Sequence, residues 1–116
     1  MFPPIVYTAG PFRAATTDGV RENIRRAEVA ALEVWRRGYA CISPHLNTAN
    51  FDGVLPDVVW LTGDLAILAR CDIVLMLDGW EQSVGATAER DYAKRLRLPV
   101  VYRAEDLPVI RAVPAV

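Results

Sequence analysis

The sequence predicts an α/β fold, because four short apolar runs alternate with three longer segments of helical periodicity. Alternation of this kind is typical of a parallel sheet with helices on both faces. The third apolar run, residues 72–77, reads DIVLML and is apolar after its first residue, as expected for a strand covered on both sides. With right-handed crossovers, the simplest arrangement is a flavodoxin-like or Rossmann-like three-layer sandwich with a small parallel sheet in the order 2-1-3-4. A chain of 116 residues suits a single domain, residues 1–116.

Turn and capping residues bound the individual elements. Gly10-Pro11 ends the first strand, and Gly38 supplies the left-handed residue that ends the first helix. Asp57 and Ser83 are N-cap candidates for the second and third helices. In chain order we predict strand 5–9, helix 19–37, strand 39–43, a loop over 44–56, helix 58–70, strand 72–77, helix 83–97, strand 99–102 and a last helical turn at about 105–110.

Composition and charge exclude several classes of function. The formal net charge is −1, so no broad basic surface for nucleic acid is expected. Cys41 and Cys71 form no C-x-x-C pair and the chain has one histidine, so we expect buried thiols, no metal and no cofactor. No signal peptide is recognisable, and no apolar run approaches the ~20 residues of a membrane span. We therefore expect a cytoplasmic protein that binds neither membranes nor nucleic acid.

The predicted topology indicates where a ligand would bind. Ligands of open parallel sheets lie beyond the carboxyl ends of the strands, at the point where the winding of the chain reverses. In the order 2-1-3-4 that crevice lies between the first and third strands. Residues 10–13 and 79–83 are the loops that border it.

Helical periodicity places Glu89 on the buried face of the third predicted helix. Gly85, Ala93 and Leu96 lie within about 40° of it, and the basic residues of the segment lie on the other side. A buried carboxylate is unfavourable unless it is paired, hydrogen-bonded or open to a cavity. A structural hydrogen bond or ion pair would account for it, but the position beside the predicted crevice favours a functional carboxylate.

Asp64 and Tyr7 are two further candidates. Asp64 lies on the apolar side of the second predicted helix, about 60° from Leu61 and about 40° from Leu68. A cap or a salt bridge is the alternative explanation for it. Tyr7 lies in the central strand near its carboxyl end, where it either packs in the core or reaches a carboxylate on the third helix with its hydroxyl group.

The start of the third predicted helix has the features of an anion site. Ser83 as the cap, followed by the small Gly85, leaves the first N–H groups of the helix accessible. Arg13 on the facing loop carries a guanidinium group that suits a phosphate. Ordinary capping and a solvent-exposed arginine are the alternatives.

Three ordered motifs resemble the nucleoside 2-deoxyribosyltransferase-like superfamily, and within it the 2′-deoxynucleoside 5′-phosphate N-hydrolases. The motifs are Y-x-x-G-x-x-R at Tyr7, Gly10 and Arg13, D-L-x-x-L-x-x-x-D at residues 64–72, and S-x-G-x-x-x-E at Ser83, Gly85 and Glu89. Their order and spacing agree across residues 5–102. The segments PHLNTANFDG and GWEQSVGATAE look closest to a branch of small relatives, and Trp80, Glu81 and the long second loop depart from the better-known hydrolases.

The resemblance implies an N-glycosidase that hydrolyses the base–sugar bond of a (deoxy)nucleoside 5′-monophosphate. Glu89 would be the nucleophile, or the carboxylate that stabilises the sugar cation, and Tyr7 would orient it. Asp64 would assist the departing base or bind the sugar. On chemical grounds alone Asp78 or Glu81 could also supply the acid, and the resemblance favours Asp64. We expect the Tyr7 hydroxyl and the helix N-terminus to keep Glu89 ionised by lowering its pKa.

The resemblance also implies the remaining contacts with the substrate. The residues that would bind the 5′-phosphate are Gly10, Arg13, Ser83 and Gly85. The predicted topology adds His45 and Asn47: the loop after the second strand borders the first strand, so we expect them to line the base side of the pocket, with a role as loop scaffolding as the alternative.

Two other functions and a homo-oligomer stay open at this point. The same fold and residues would suit base exchange between deoxynucleosides, and a non-catalytic nucleotide-binding module would keep the crevice without turnover. The second predicted helix is apolar nearly all round, which is more than one face of a sheet can bury. We therefore expect a homodimer or a higher homo-oligomer.

Overall fold

The computed structural model describes all 116 residues, Met1–Val116, and contains a four-stranded parallel sheet in the order β2-β1-β3-β4. The predicted fold class and strand order are therefore confirmed. The strands are β1 (Ile5–Ala9), β2 (Ala40–Ile42), β3 (Ile73–Met76) and β4 (Val100–Val101). The helices are α1 (Thr17–Arg36), α2 (Pro44–Asn47), α3 (Asp57–Leu68) and α4 (Val84–Arg95), and short 3-10 turns, Trp80–Gln82 and Ala104–Asp106, follow β3 and β4.

Each face of the sheet has its own apolar core, because successive side chains of a strand point to opposite faces. On one face Tyr7 of β1 packs with Leu68 of α3 and with the alanines of α4. On the other face Val6 and Leu75 pack with Val34 of α1. The side chains of residues 6–9 in β1 are buried, because helices cover both faces of the sheet.

The two predicted N-caps have different outcomes. The Ser83 hydroxyl accepts a hydrogen bond from the Ala86 N–H at 3.1 Å, so the cap of α4 is confirmed. The prediction for Asp57 is wrong, because α3 begins at Asp57 itself and its N-cap is Pro56, with no side-chain cap. The Asp57 carboxylate instead binds Arg13 from the loop after β1. The Asp57 carboxylate, which the sequence pattern assigned to capping the helix, is therefore used in a long-range ion pair.

The segment 44–56, predicted as a loop, begins with the short helix α2. Pro44 occupies its first turn, where the fixed φ of proline suits the helix and the missing N–H is not needed. Pro44 and His45 are buried by this turn, whereas Asn47 is exposed. The last helical turn, expected at about 105–110, is the 3-10 turn Ala104–Asp106.

Several apolar side chains of α3 are exposed in the single chain, and two of them, Val58 and Leu61, border the cavity described below. Val58, Val59 and Leu61 keep 64%, 44% and 39% of their surface accessible. This agrees with the composition that led to the homo-oligomer prediction, and the oligomeric state stays a prediction. None of the helices has the length and apolar composition that crossing a bilayer requires.

Gly10 allows β1 and β3 to stay close up to their carboxyl ends. The Leu77 N–H donates to the Ala9 carbonyl at 2.7 Å. A Cβ atom added at Gly10 would lie 2.7 Å from Cβ of Leu77, which is too close for two carbon atoms held by the backbone. The glycine is therefore required by packing beside the crevice.

Replacing Gly10 tests this packing. We expect Gly10→Ala to lower the free energy of unfolding by about 1–3 kcal/mol, because the new methyl group forces the strand ends apart. Gly63→Ala is the matched control: nothing lies within 4 Å of its added Cβ, and alanine in a helix should be neutral or stabilising by up to about 1 kcal/mol. Denaturant unfolding of both variants measures the difference, and equal stabilities would contradict the account.

Candidate functional site

A cavity of about 870 Å³ lies beyond the carboxyl end of β1, on the face of the sheet that α3 and α4 cover. Its wall is formed by the loop after β1, by α2 and the segment that follows it, by α3 and by the first turns of α4. The volume is in the range of small-molecule sites. The predicted crevice is therefore present, and it is large enough for a ligand of the size of a nucleoside.

Glu89 lies in the wall of this cavity and is 7% exposed. The Tyr7 hydroxyl donates a hydrogen bond to Oε2 of Glu89. Tyr7 itself is completely buried and lies behind the carboxyl group, within the core of the sheet. The central strand thus fixes the orientation of a carboxyl group whose other oxygen, Oε1, forms no hydrogen bond with the protein.

Burial is the largest influence on the protonation of Glu89. Burial raises the pKa of Glu89 to about 7, the hydrogen bond from Tyr7 lowers it, and the neighbouring Asp64 carboxylate raises it. The expected effect of the Tyr7 hydroxyl, which lowers the pKa of Glu89, is present, but desolvation outweighs it. Burial, followed by the charge of Glu89, raises the pKa of Tyr7 far above its ordinary value, so the phenol stays a hydrogen-bond donor.

Asp64 is the second carboxyl group of the cavity. Its side chain is half-buried on α3, and it forms no salt bridge. Burial raises the pKa of Asp64 to about 6. Two carboxyl groups in one cavity therefore titrate close to neutral pH. The alternatives, Asp78 and Glu81, do not line this cavity, and Asp78 borders a separate groove of about 1040 Å³ beside α1.

The first turn of α4 forms an open part of the wall. Ser83 and Gly85 both line the cavity, and the Ser83 hydroxyl is used as the helix cap. Nothing lies within 4 Å of a Cβ atom added at Gly85, so the missing side chain leaves open space above the helix start. The protein does not need this glycine for packing, and the space is available to a ligand.

Arg13 lines the cavity but is already paired. Its guanidinium group binds the Asp57 carboxylate and lies 3.6 Å from Oδ1 of Asp52. These contacts join the loop after β1 to the segment before α3. The phosphate contact expected of Arg13 stays a prediction, and the two carboxylates compete with it.

His45 holds the loop after β1 in place. Its Nε2 lies 2.7 Å from the Pro11 carbonyl oxygen, and its ring packs against Phe12 at 5.7 Å. Burial lowers the pKa of His45, and hydrogen bonds with the backbone of Pro11 and Gly10 partly oppose this effect. The ring is therefore neutral with the proton on Nε2, and Nδ1 is a buried acceptor without a partner.

The comparisons with known proteins agree with this architecture. Residues 4–102 match the family described as a domain of unknown function, DUF4406. The chain belongs to this family. A search of curated proteins finds no match.

A solved structure supports the fold of this DUF4406 protein. It is a 2-deoxyribosyltransferase from the psychrotolerant bacterium Bacillus psychrosaccharolyticus, with a TM-score of 0.59 and 20% sequence identity. The match covers 83% of this chain and 69% of the other. At this identity the likeness shows a shared fold.

Most of the predicted site residues of the DUF4406 chain meet in one place, with one exception. The cavity wall contains seven of them: Gly10, Arg13, His45, Asp64, Ser83, Gly85 and Glu89. Tyr7 reaches the cavity through Glu89. Asn47 is exposed and does not line the cavity, because the helical turn of α2 brings Pro44, His45 and Thr48 to the wall instead.

Sequence reasoning missed two parts of the wall. Trp60 of α3 was not among the predicted site residues, yet it lines the cavity and stacks on Phe51 at 6.1 Å. Asp52 was not singled out, because an aspartate in a turn before a helix is an ordinary feature of a loop. Only the three-dimensional contact with Arg13 shows its importance.

Glu89→Gln should stabilise the fold at alkaline pH. A carboxyl group whose pKa rises from 4.5 to about 7 on folding contributes stability below pH 4.5 and loses it as pH rises to 7. The neutral amide avoids this loss, so we expect the variant to gain about 1–3 kcal/mol at pH 8 and little at pH 4. Urea unfolding at both pH values measures the effect, and a difference that does not depend on pH would contradict the burial argument.

Proposed function

We propose that this protein cleaves the N-glycosidic bond of a nucleoside or a nucleoside 5′-monophosphate, with Glu89 as the nucleophile. The observation that carries the proposal is a carboxyl group that is buried in a cavity wall and oriented from behind by a tyrosine hydroxyl. The likeness in fold to a 2-deoxyribosyltransferase supports it.

The chemistry needs two carboxyl groups with different tasks. Breaking the bond between C1′ and the base develops positive charge on the sugar, and a carboxylate on one face can attack C1′. Glu89 forms the new C–O bond, and the electron pair of the broken C–N bond leaves with the base. Asp64 gives its proton to the base nitrogen, since an unprotonated base is a poor leaving group. Water then attacks C1′, gives a proton to Asp64 and releases Glu89.

The two carboxyl groups share one proton near neutral pH. With a pKa of about 7 for Glu89 and about 6 for Asp64, the pair holds one proton between these values. The productive form carries that proton on Asp64 and leaves Glu89 ionised, and the higher pKa of Glu89 makes it the less populated of the two singly protonated forms. The Tyr7 hydrogen bond favours this form, because it stabilises the charge on Glu89.

Base exchange is the second candidate, and the likeness to a 2-deoxyribosyltransferase favours it. In that reaction a second base, in place of water, attacks the sugar held on Glu89. The two reactions use the same residues in the first step. They differ in whether water or a second base enters the cavity after the first base has left. Hydrolysis of a 5′-monophosphate would further require Arg13, Ser83 and Gly85 to bind the phosphate.

An assay of base release tests the proposal. We expect free base when the protein is incubated with nucleosides or their 5′-monophosphates, and exchange if release needs an added second base. Glu89→Gln should lower kcat/KM by about 10³-fold or more, because the nucleophile is lost. Glu28→Gln, on the exposed surface of α1, is the matched control and should leave the rate unchanged. Chromatography measures the base, and an active Glu89→Gln enzyme would remove Glu89 from the mechanism.

Tyr7→Phe tests the positioning role of the tyrosine. The wild type should show a bell-shaped profile of kcat/KM against pH, centred between about 6 and 7. Without the hydrogen bond the pKa of Glu89 rises, so the maximum should move to higher pH and fall by roughly tenfold.

The control for this change is Tyr39→Phe, which removes the hydrogen bond at 2.8 Å from another buried tyrosine to the Pro108 carbonyl oxygen. That bond lies outside the cavity, so the profile of this variant should match the wild type. A Tyr7→Phe profile with an unchanged optimum would show that the tyrosine acts only in packing.

A further inference from the structure

The cavity wall has far more acidic than basic groups. Its ionisable side chains are one arginine, Arg13, and four carboxyl groups, Asp52, Asp57, Asp64 and Glu89. His45 is the other titratable group, and burial keeps it neutral. The net charge of the wall therefore lies between −1, when Asp64 and Glu89 both hold protons, and −3, when both are ionised.

The single cation of the wall is already occupied. The Arg13 guanidinium group binds Asp57 and lies 3.6 Å from Asp52. The three side chains are between 45% and 67% exposed, so each ion pair alone is weak. Their effect on an incoming anion is larger than their effect on stability, because a phosphate must displace the carboxylates from Arg13 or bind beside them.

The start of α4 does not compensate for this charge. A helix N-terminus corresponds to about half a positive charge, and its effect falls off within the first turn. A 5′-phosphate carries between one and two negative charges at neutral pH. At about 4 Å each additional like-charge pair weakens binding by a factor of about five even in water. The group formed by Arg13, Asp52 and Asp57 has a net charge of −1, which exceeds the partial positive charge of the helix start, so a phosphate meets net repulsion.

We propose that this site selects an uncharged nucleoside over its 5′-phosphate, and that Asp52 and Asp57 set this preference by neutralising Arg13. The inference rests on the proposed function for the reaction, but it concerns only which form of the substrate binds. Arg13 then acts as a positioning residue that joins the two loops at the cavity.

The test is the ratio of kcat/KM for a 5′-monophosphate to kcat/KM for the matching nucleoside, measured at pH 7 with the full chain. We expect a ratio of about 0.1 or less in the wild type. The double variant Asp52→Asn, Asp57→Asn frees Arg13 and removes two negative charges, so its ratio should rise by about tenfold or more. Because the rejection is electrostatic, raising the salt concentration should raise the wild-type ratio and change that of the double variant less.

Asp18→Asn is the matched control. Asp18 is an exposed aspartate paired with Arg21 at 3.5 Å at the start of α1, and it does not line the cavity. Its ratio should equal that of the wild type. Thermal unfolding of each variant shows whether it is folded. If the double variant does not fold, the single variant Asp52→Asn replaces it in the test.

Calorimetric binding of the nucleoside and of its 5′-monophosphate to the wild type separates this inference from the proposed reaction. If neither compound is cleaved, the reaction is wrong, but tighter binding of the nucleoside that reverses in the Asn variants still supports the selectivity. A wild type that prefers the monophosphate, a ratio unchanged by the Asn substitutions, or no binding of either compound would overturn the inference.

Discussion

The hydrogen bond between Tyr7 and Glu89 links the core of this protein to its cavity. Tyr7 belongs to the central strand and is enclosed by the sheet and two helices, so its hydroxyl has one fixed position. Glu89 comes from α4 and would otherwise be an isolated carboxyl group on the buried face of a helix. The phenol holds one carboxylate oxygen of Glu89. The position of the other oxygen is therefore fixed by the fold, although it belongs to a side chain that would otherwise be flexible.

In this arrangement, stability and reactivity require different protonation states of Glu89. Burial makes the charged form of Glu89 unfavourable, while its proposed role as a nucleophile requires that charged form. The tyrosine hydroxyl partly compensates, and a pKa near 7 is the result of the two effects. Functional sites commonly keep a destabilised group of this kind, because the remaining fold supplies enough stability to hold it.

The sequence predicted the fold and the central pair of residues because both depend on periodicity. The alternation of apolar runs indicated a parallel sheet, and a carboxylate among Gly85, Ala93 and Leu96 revealed Glu89. The ion pairs of Arg13 were not predictable, since they join segments about forty residues apart and replace the local cap expected of Asp57. Asn47 was misplaced for a related reason: the turn of α2 decides which side chains of a loop reach the wall.

The mass of the protein during turnover tests the role of Glu89 most directly. Incubation with a nucleoside substrate, followed by rapid acid quenching, peptide digestion and mass spectrometry, should show one sugar attached to the peptide that contains Glu89. The adduct should be absent in Glu89→Gln. A sugar attached to a different residue would contradict the account. Rapid release of base by Glu89→Gln, with no adduct in either protein, would contradict it as well.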